Sequence, residues 1–280
     1  MEQKTLSQRV QAIDRKYLYL LLGVVMIAPL FYQEHFLPTF VSQEAVGIYE
    51  AVEAVPPDKV IVLAADYDVA TMGENQPQLE AAIRHIMKSG KRFVILAQSQ
   101  VGPELAEKGA ETLAKELHKS YGVDWVNWGF LAGGVPMLKG LASNVRSEVK
   151  KDIHNKPLDE IPMMANVKDI HDVGLWLDFT GSGIWGMYVQ FIYGPYKVPL
   201  GVGCTAVIGP QLFPYLDSGQ LVGQLFGMRG AAEYEELNHH FGRGDRAMPS
   251  ISFAHLLIIV LIILGNAGYF VARRRGGGAR

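Results

Sequence analysis

Only one of the 280 residues is cysteine, Cys204. No disulfide can therefore form within the chain, and stability has to come from packing, which a chain of this length can supply. In its Gly-Val-Gly-Cys-Thr-Ala setting Cys204 reads as a small buried apolar side chain on a strand. Zinc spacings of Cys and His are absent. An excess of positive charge is also missing: 26 Lys and Arg stand against 28 Asp and Glu, a net charge of -2. With no basic run or aromatic-basic platform in the central region, nucleic acid is excluded as a natural partner. Charged residues make up only 19% and hydrophobic residues 49%, a composition suited to a protein partly covered by lipid or by a partner.

Two uncharged runs account for much of the apolar excess. Tyr17 to Tyr32 is rich in Leu, Val and Ile and is bracketed by tyrosines that suit the two membrane interfaces, so it is predicted to be a short spanning helix, with Pro29 near its outer end. No small-x-small site follows it, which argues against a cleaved signal peptide. Residues 250–272, centred on Leu256 to Leu264, are long enough to cross at ~1.5 Å per residue. Lys4, Arg9, Arg15 and Lys16 precede the first run, and Arg273, Arg274 and Arg275 follow the second. The positive-inside bias places both flanks in the cytoplasm. The expected layout in the cell membrane is a cytoplasmic segment 1–16, membrane helix 17–32, an extracytoplasmic domain 33–249, membrane helix 250–272 and a basic cytoplasmic tail 273–280.

Between these ends, short apolar runs alternate with amphipathic stretches. The runs Lys59 to Ala65, Arg92 to Ala97, Trp125 to Leu131, Gly174 to Phe179 and Leu200 to Ile208 read as strands. Helical spacing of Leu79, Ala82, Ile83 and Ile86, and of Leu105, Ala106, Leu113 and Leu117, predicts helices over Gln78 to Ser89 and Pro103 to Tyr121, stopped by Gly90 and Gly122. This alternation predicts an α/β fold with a doubly wound, mostly parallel sheet of about five strands in three layers, flanked by one transmembrane helix at each terminus. Val135 to His154 reads as a further helix, and Asn155 to Asp172, with Pro157 and Pro162, as a long connection. The uncharged aromatic stretch Gly183 to Tyr196 reads as a buried helix, with contact to lipid or a neighbouring subunit as the alternative.

In such a sheet, ligands bind beyond the carboxyl ends of the strands. That rim holds Asp66 and Asp68, Gln98 to Gln100, Gly133 and Gly134, Asp178 to Gly183, and Gly209 to Gln211. Asp66 and Asp68 can equally cap the following helix. The strand Val60 to Ala65 ending in Asp66-Tyr67-Asp68, followed one strand later by Phe93 to Ser99, resembles the first two motifs of haloacid-dehalogenase-like phosphatases. The resemblance implies Asp66 as nucleophile, Asp68 as acid/base and Ser99 as phosphate ligand. It covers two short pieces. The acidic pair expected near the fourth strand to help hold magnesium is reduced to Asp178, and no lysine is placed for its role. Gly181-Ser182-Gly183 offers an anion nest or an exposed Ser182 nucleophile, without a Gly-x-Ser-x-Gly pattern or a histidine spaced as its base. His239 and His240, with Glu233, Glu235 and Glu236 upstream, offer either metal ligands or, more plainly, a solvated juxtamembrane turn.

Gly219, Gly223, Gly227 and Ala231 recur every fourth residue, so a helix over Asp217 to Glu235 would carry a ridge of small side chains. Glycine costs ~1 kcal/mol in a helix relative to alanine, so such a ridge calls for a compensating contact, either with the domain's own sheet or with a neighbouring chain, backed by Leu221, Val222, Leu225 and Phe226. The expectation is a membrane-anchored structural or binding subunit of an oligomeric membrane complex. It would have a Rossmann-like outer domain, no catalytic site and no cofactor. Its partners would be the lipid bilayer and either copies of itself or other membrane subunits. The alternatives are an extracytoplasmic phosphatase-like hydrolase using Asp66, or a ligand-sensing accessory subunit of a transporter. An α/β region between terminal membrane helices, ending in arginines, is similar in layout to auxiliary proteins of bacterial gliding-type ABC transporters.

Overall fold

Strands that are apolar on both faces need helices on both sides, and that requirement organises the domain. The computed structural model describes residues 14–31 and 38–276. It divides into two units, Thr39–Asp245 and the described residues on either side of it. Within the first unit, β1 (Val60–Asp66), β2 (Arg92–Ala97), β3 (Trp125–Phe130), β4 (Val173–Thr180), β5 (Leu200–Cys204) and β6 (Gly223–Phe226) form one sheet in the order β3-β2-β1-β4-β5-β6. Every neighbouring pair is parallel. This is the strand order of dinucleotide-binding Rossmann folds, with its reversal between β1 and β4.

All seven residues of β1 are buried, and they divide by parity. Ile61, Leu63 and Ala65 face a core shared with α2 (Gln43–Glu53), α3 (Met72–Lys88), α4 (Gly102–Leu117) and α10 (Gly227–Leu237). Val60, Val62 and Ala64 face the other core, with α5 (Gly134–Ser143), α6 (Val145–Glu148) and the helical stretch α7 (Trp185–Tyr188), a π-turn Val189–Tyr193 and α8 (Gly194–Tyr196). The uncharged aromatic stretch is thus a buried helix: Trp185, Tyr188, Val189 and Ile192 are all in this core.

Several boundaries differ from those expected, each for a local reason. The helix expected over Val135 to His154 breaks at Asn144, whose extended backbone and side chain cap α6 through the Arg146 N–H at 3.0 Å. The long connection after it makes three short 3-10 turns and buries Leu158, Ile161, Met164 and Ile170. The fifth strand ends at Cys204, and Thr205 to Ile208 turn toward α9 (Phe213–Asp217).

The glycine ridge does not exist, because residues 217–235 are not one helix. Gly219 lies in a turn with φ +71°, Gly223 begins the unexpected sixth strand, Gly227 opens α10 with φ +58°, and only Ala231 lies inside a helix. Positive φ at two of the three glycines breaks the helix that their spacing suggests. Their small size is still used, within the domain. A β-carbon at Gly223 would overlap the Glu44 carbonyl oxygen and stand 2.9 Å from Ile48 N, so glycine lets α2 lie directly on β6. Gly223, Gly227 and Ala231 are buried in this way and present no face for assembly.

Among the described residues one helix is long and apolar enough to cross a membrane by length and composition, the 29-residue stretch Arg243–Val271 within α11 (Arg243–Gly276). It starts seven residues ahead of the expected 250. The expected first membrane helix, 17–32, is described only in part, and that part is too short to cross. Its described part is α1 (Arg15–Ile27), 13 residues, followed by a 3-10 turn Ala28–Phe31 that contains Pro29. Proline interrupts α-helical bonding there. Tyr32, Lys4, Arg9 and the tail after Gly276 lie outside the described residues.

Gly223→Ala should lower stability by ~1–3 kcal/mol through overpacking against α2, measured by urea unfolding in mild detergent, with no change in particle size. A smaller particle with an intact fold would instead return Gly223 to an interface between chains.

Candidate ligand crevice

At the reversal of strand order, the chain leaves β1 toward one side and β4 toward the other, and a crevice opens between the two exits. Its volume is about 240 Å³. The end of β1 contributes Asp66 and Asp68, the approach to α3 Thr71, the end of β2 Gln98 and Ser99, and the exit from β4 Gly181 and Ser182. The structure thus brings together six of the expected rim residues, Asp66, Asp68, Gln98, Ser99, Gly181 and Ser182. Gly133, Gly134 and Gly209 to Gln211 take no part in the lining.

Asp178 completes the group from below. Ala64 pairs with Asp178 and Asp66 with Thr180, so both acids point to the same face of the sheet. Asp66 is 5% exposed and Asp178 is fully buried. Asp66 Oδ1 accepts the Gln98 N–H at 2.5 Å and Oδ2 accepts the Tyr188 hydroxyl at 2.5 Å. Neither Asp178 oxygen has a hydrogen-bond partner among the described residues, and Asp66 is the neighbouring acid whose charge bears on it. A buried carboxyl with no donor to stabilise its charge favours the protonated form.

Burial first, then the charge of Asp66, pushes the Asp178 carboxyl well above the usual carboxylate range. Burial also raises Asp66, against the opposing pull of the hydrogen bonds from Tyr188 and the Gln98 N–H. Asp178 is therefore the acid that holds its proton more strongly, and Asp66, with donors on both oxygens, the one that gives it up more readily. Tyr188 stays neutral, its hydroxyl held well above its ordinary range by burial and by Asp66. Its ring lies 4.9 Å from that of Trp176, which fixes where the hydroxyl points.

The remaining expected residues have local work. Asp68 Oδ1 accepts the N–H groups of Ala70 at 2.9 Å and Thr71 at 3.3 Å, closing the turn into α3. Ser99 donates to the Tyr67 carbonyl at 2.9 Å. The Ser182 hydroxyl meets only that of Thr180, at 3.2 Å. The magnesium implied by the phosphatase resemblance does not fit these residues. Asp178 is fully buried, whereas Mg²⁺ keeps several waters, and no three acidic, histidine or cysteine side chains converge among the described residues. Cys204, pushed up to about 12 by burial and by Asp178, remains a thiol.

The Glu and His residues before α11 form no metal site among the described residues; His239 lies exposed in a turn with φ +49°, while two of the glutamates are buried and engaged. Glu233 receives Arg229 and Ser42, and the buried Glu235 accepts the N–H groups of Gly244 at 3.0 Å and Asp245 at 2.8 Å, capping α11 from α10. Burial pushes Glu235 up to about 7. Tyr188 was not singled out from the sequence. The available signal was a tyrosine inside an uncharged buried segment, because a buried phenol needs an acceptor.

No family model matches the chain, and no curated protein does. A solved structure that does match is titled the structure of the molybdenum cofactor binding protein from the phototrophic bacterium Rippkaea orientalis. It is 13% identical, and the match covers 65% of this chain and 96% of that one with a TM-score of 0.32. At that score the likeness carries no argument.

Asp178→Asn provides the pH test. A carboxyl whose folded pKa is raised gives stability that is complete below its unfolded value near ~4 and is lost as pH rises through the folded value. Asparagine has nearly the same shape and does not titrate. Melting temperatures followed upward from pH 4 should fall less steeply in the variant than in the wild type. Identical slopes would mean that Asp178 is not held protonated in the folded chain.

Proposed function

We propose that this chain is a membrane-anchored binding subunit that performs no chemistry of its own, with the switch-point crevice as its ligand site. The observation that carries this reading is the engagement of Asp66. A nucleophilic carboxylate needs a free oxygen in line with the phosphorus, and both Asp66 oxygens already accept hydrogen bonds from Gln98 and Tyr188. Asp68 is occupied in its own turn, Ser99 is bonded to Tyr67, and the lining offers no Lys or Arg to hold a phosphoryl group. What remains is a pre-formed polar recess without an acid, base and electrophile converging on one point.

The apolar stretch Arg243–Val271 supplies the anchor. The arginines that follow it and the basic residues ahead of α1 favour cytoplasmic termini and an outer domain, with Tyr17 to Tyr32 as a second, shorter crossing. Because Gly223, Gly227 and Ala231 are buried inside the fold, association with copies or other membrane subunits rests on the anchor alone. The crevice favours the ligand-sensing form of this reading, in which a membrane complex receives a signal from the outer domain.

The full chain in mild detergent should show no magnesium-dependent hydrolysis of phosphomonoesters, in the wild type or in Asp66→Asn. Turnover that disappears in Asp66→Asn at an unchanged melting temperature would replace this reading with the hydrolase. On intact cells, a Lys119→Cys variant lacking Cys204 should react with an impermeant thiol reagent. Reaction only after lysis would reverse the topology.

A further inference from the structure

We propose, resting on the binding reading above, that the crevice takes a small primary amine and rejects phosphate. Three observations converge on this assignment. In Rossmann folds the phosphate lies at the start of the first helix, where a glycine-rich turn exposes free N–H groups. Here the turn Asp66 to Thr71 contains no glycine. The N–H groups that lead into the helix are taken: Ala70 and Thr71 donate to the Asp68 carboxylate, and Met72 donates to the Asp68 carbonyl at 2.8 Å. A carboxylate of the chain itself occupies the place where an anion would bind.

The charge of the lining points the same way. Asp66 and Asp68 are its charged members, without Lys, Arg or His among the described residues. A phosphate would meet the carboxylates of Asp66, almost wholly buried, and Asp68, exposed at the mouth, and like charges at close range repel. An ammonium would neutralise one of them and bring three N–H donors. Acceptors are available for these: Asp68 uses Oδ1 in its turn and keeps Oδ2, and Gln98 donates through Nε2 to Tyr188 and keeps Oε1.

The third observation is an orphan group. Thr71 Oγ1 is buried at the crevice and has no hydrogen-bond partner, an arrangement that costs free energy unless a ligand completes it. The volume of about 240 Å³ is below the ~300–1,000 Å³ of sites for drug-sized ligands, so the occupant is small.

The test uses the full chain in nonionic detergent, titrated calorimetrically at constant ionic strength with 1,4-diaminobutane, sodium phosphate and glycerol. Asp68→Asn is the diagnostic variant, because asparagine caps a turn as aspartate does but carries no charge. Saturable binding of the diamine to the wild type, weakened tenfold or more in Asp68→Asn, with no phosphate binding, is the expected result. Binding of phosphate or glycerol without the diamine would overturn the ligand class and leave the binding reading standing. Diamine binding that is equal in both proteins would place the amine elsewhere and overturn the assignment. Silence from all three probes would overturn the ligand class and the binding reading together.

Discussion

Two carboxyl groups on neighbouring strands, Asp66 at the end of β1 and Asp178 in β4, meet where water scarcely reaches them. Ionised together they would repel one another across the point at which the sheet reverses its order. Burial favours a proton on Asp178, which has no hydrogen-bond partner, and Asp66 gathers Gln98 from β2 and Tyr188 from α7 onto the same few atoms. Strands β1 and β2 and the aromatic helix that covers one face are therefore joined at a single place, with Asp178 of β4 beneath it. The floor of the crevice depends on the proton of Asp178.

The same constraint separates this site from the enzymes that its sequence resembles. A strand ending in Asp-x-Asp, a serine after the next strand and an acid in β4 do converge, as a phosphatase would require. In the folded chain each has a partner from the protein itself: Asp66 holds Tyr188, Asp68 holds its own turn and Ser99 holds a carbonyl. Convergence of residue types is thus compatible with an inert scaffold, and the direction of each lone pair decides between the two. That information lies in tertiary hydrogen bonds and not in spacing.

Much of the architecture was legible in the sequence because it follows from burial. Five strands are continuous apolar runs, as a sheet covered on both faces demands, and the buried aromatic helix is uncharged for the same reason. The sixth strand was not legible: it has four residues, begins with glycine, and lies inside a four-residue repetition that imitates a helix face. Conformation at Gly219 and Gly227 and the approach of α2 to Gly223 depend on φ and on a distant helix, neither of which a spacing rule contains. At the site, Asp66, Asp68, Ser99 and Ser182 were legible from their places after strands. Tyr188 was not, because its partner comes from a strand 122 residues away.

The proton on Asp178 can be observed directly by carbon NMR of the full chain in detergent with ¹³C-labelled aspartate carboxyls, using Asp178→Asn to assign the signal. One carboxyl should remain protonated at neutral pH, titrate well above the ordinary aspartate value of ~4, and vanish from the spectrum of the variant. A spectrum in which every aspartate is ionised by pH 6 would contradict a neutral Asp178, and with it the account of how two acids stand together beneath the crevice.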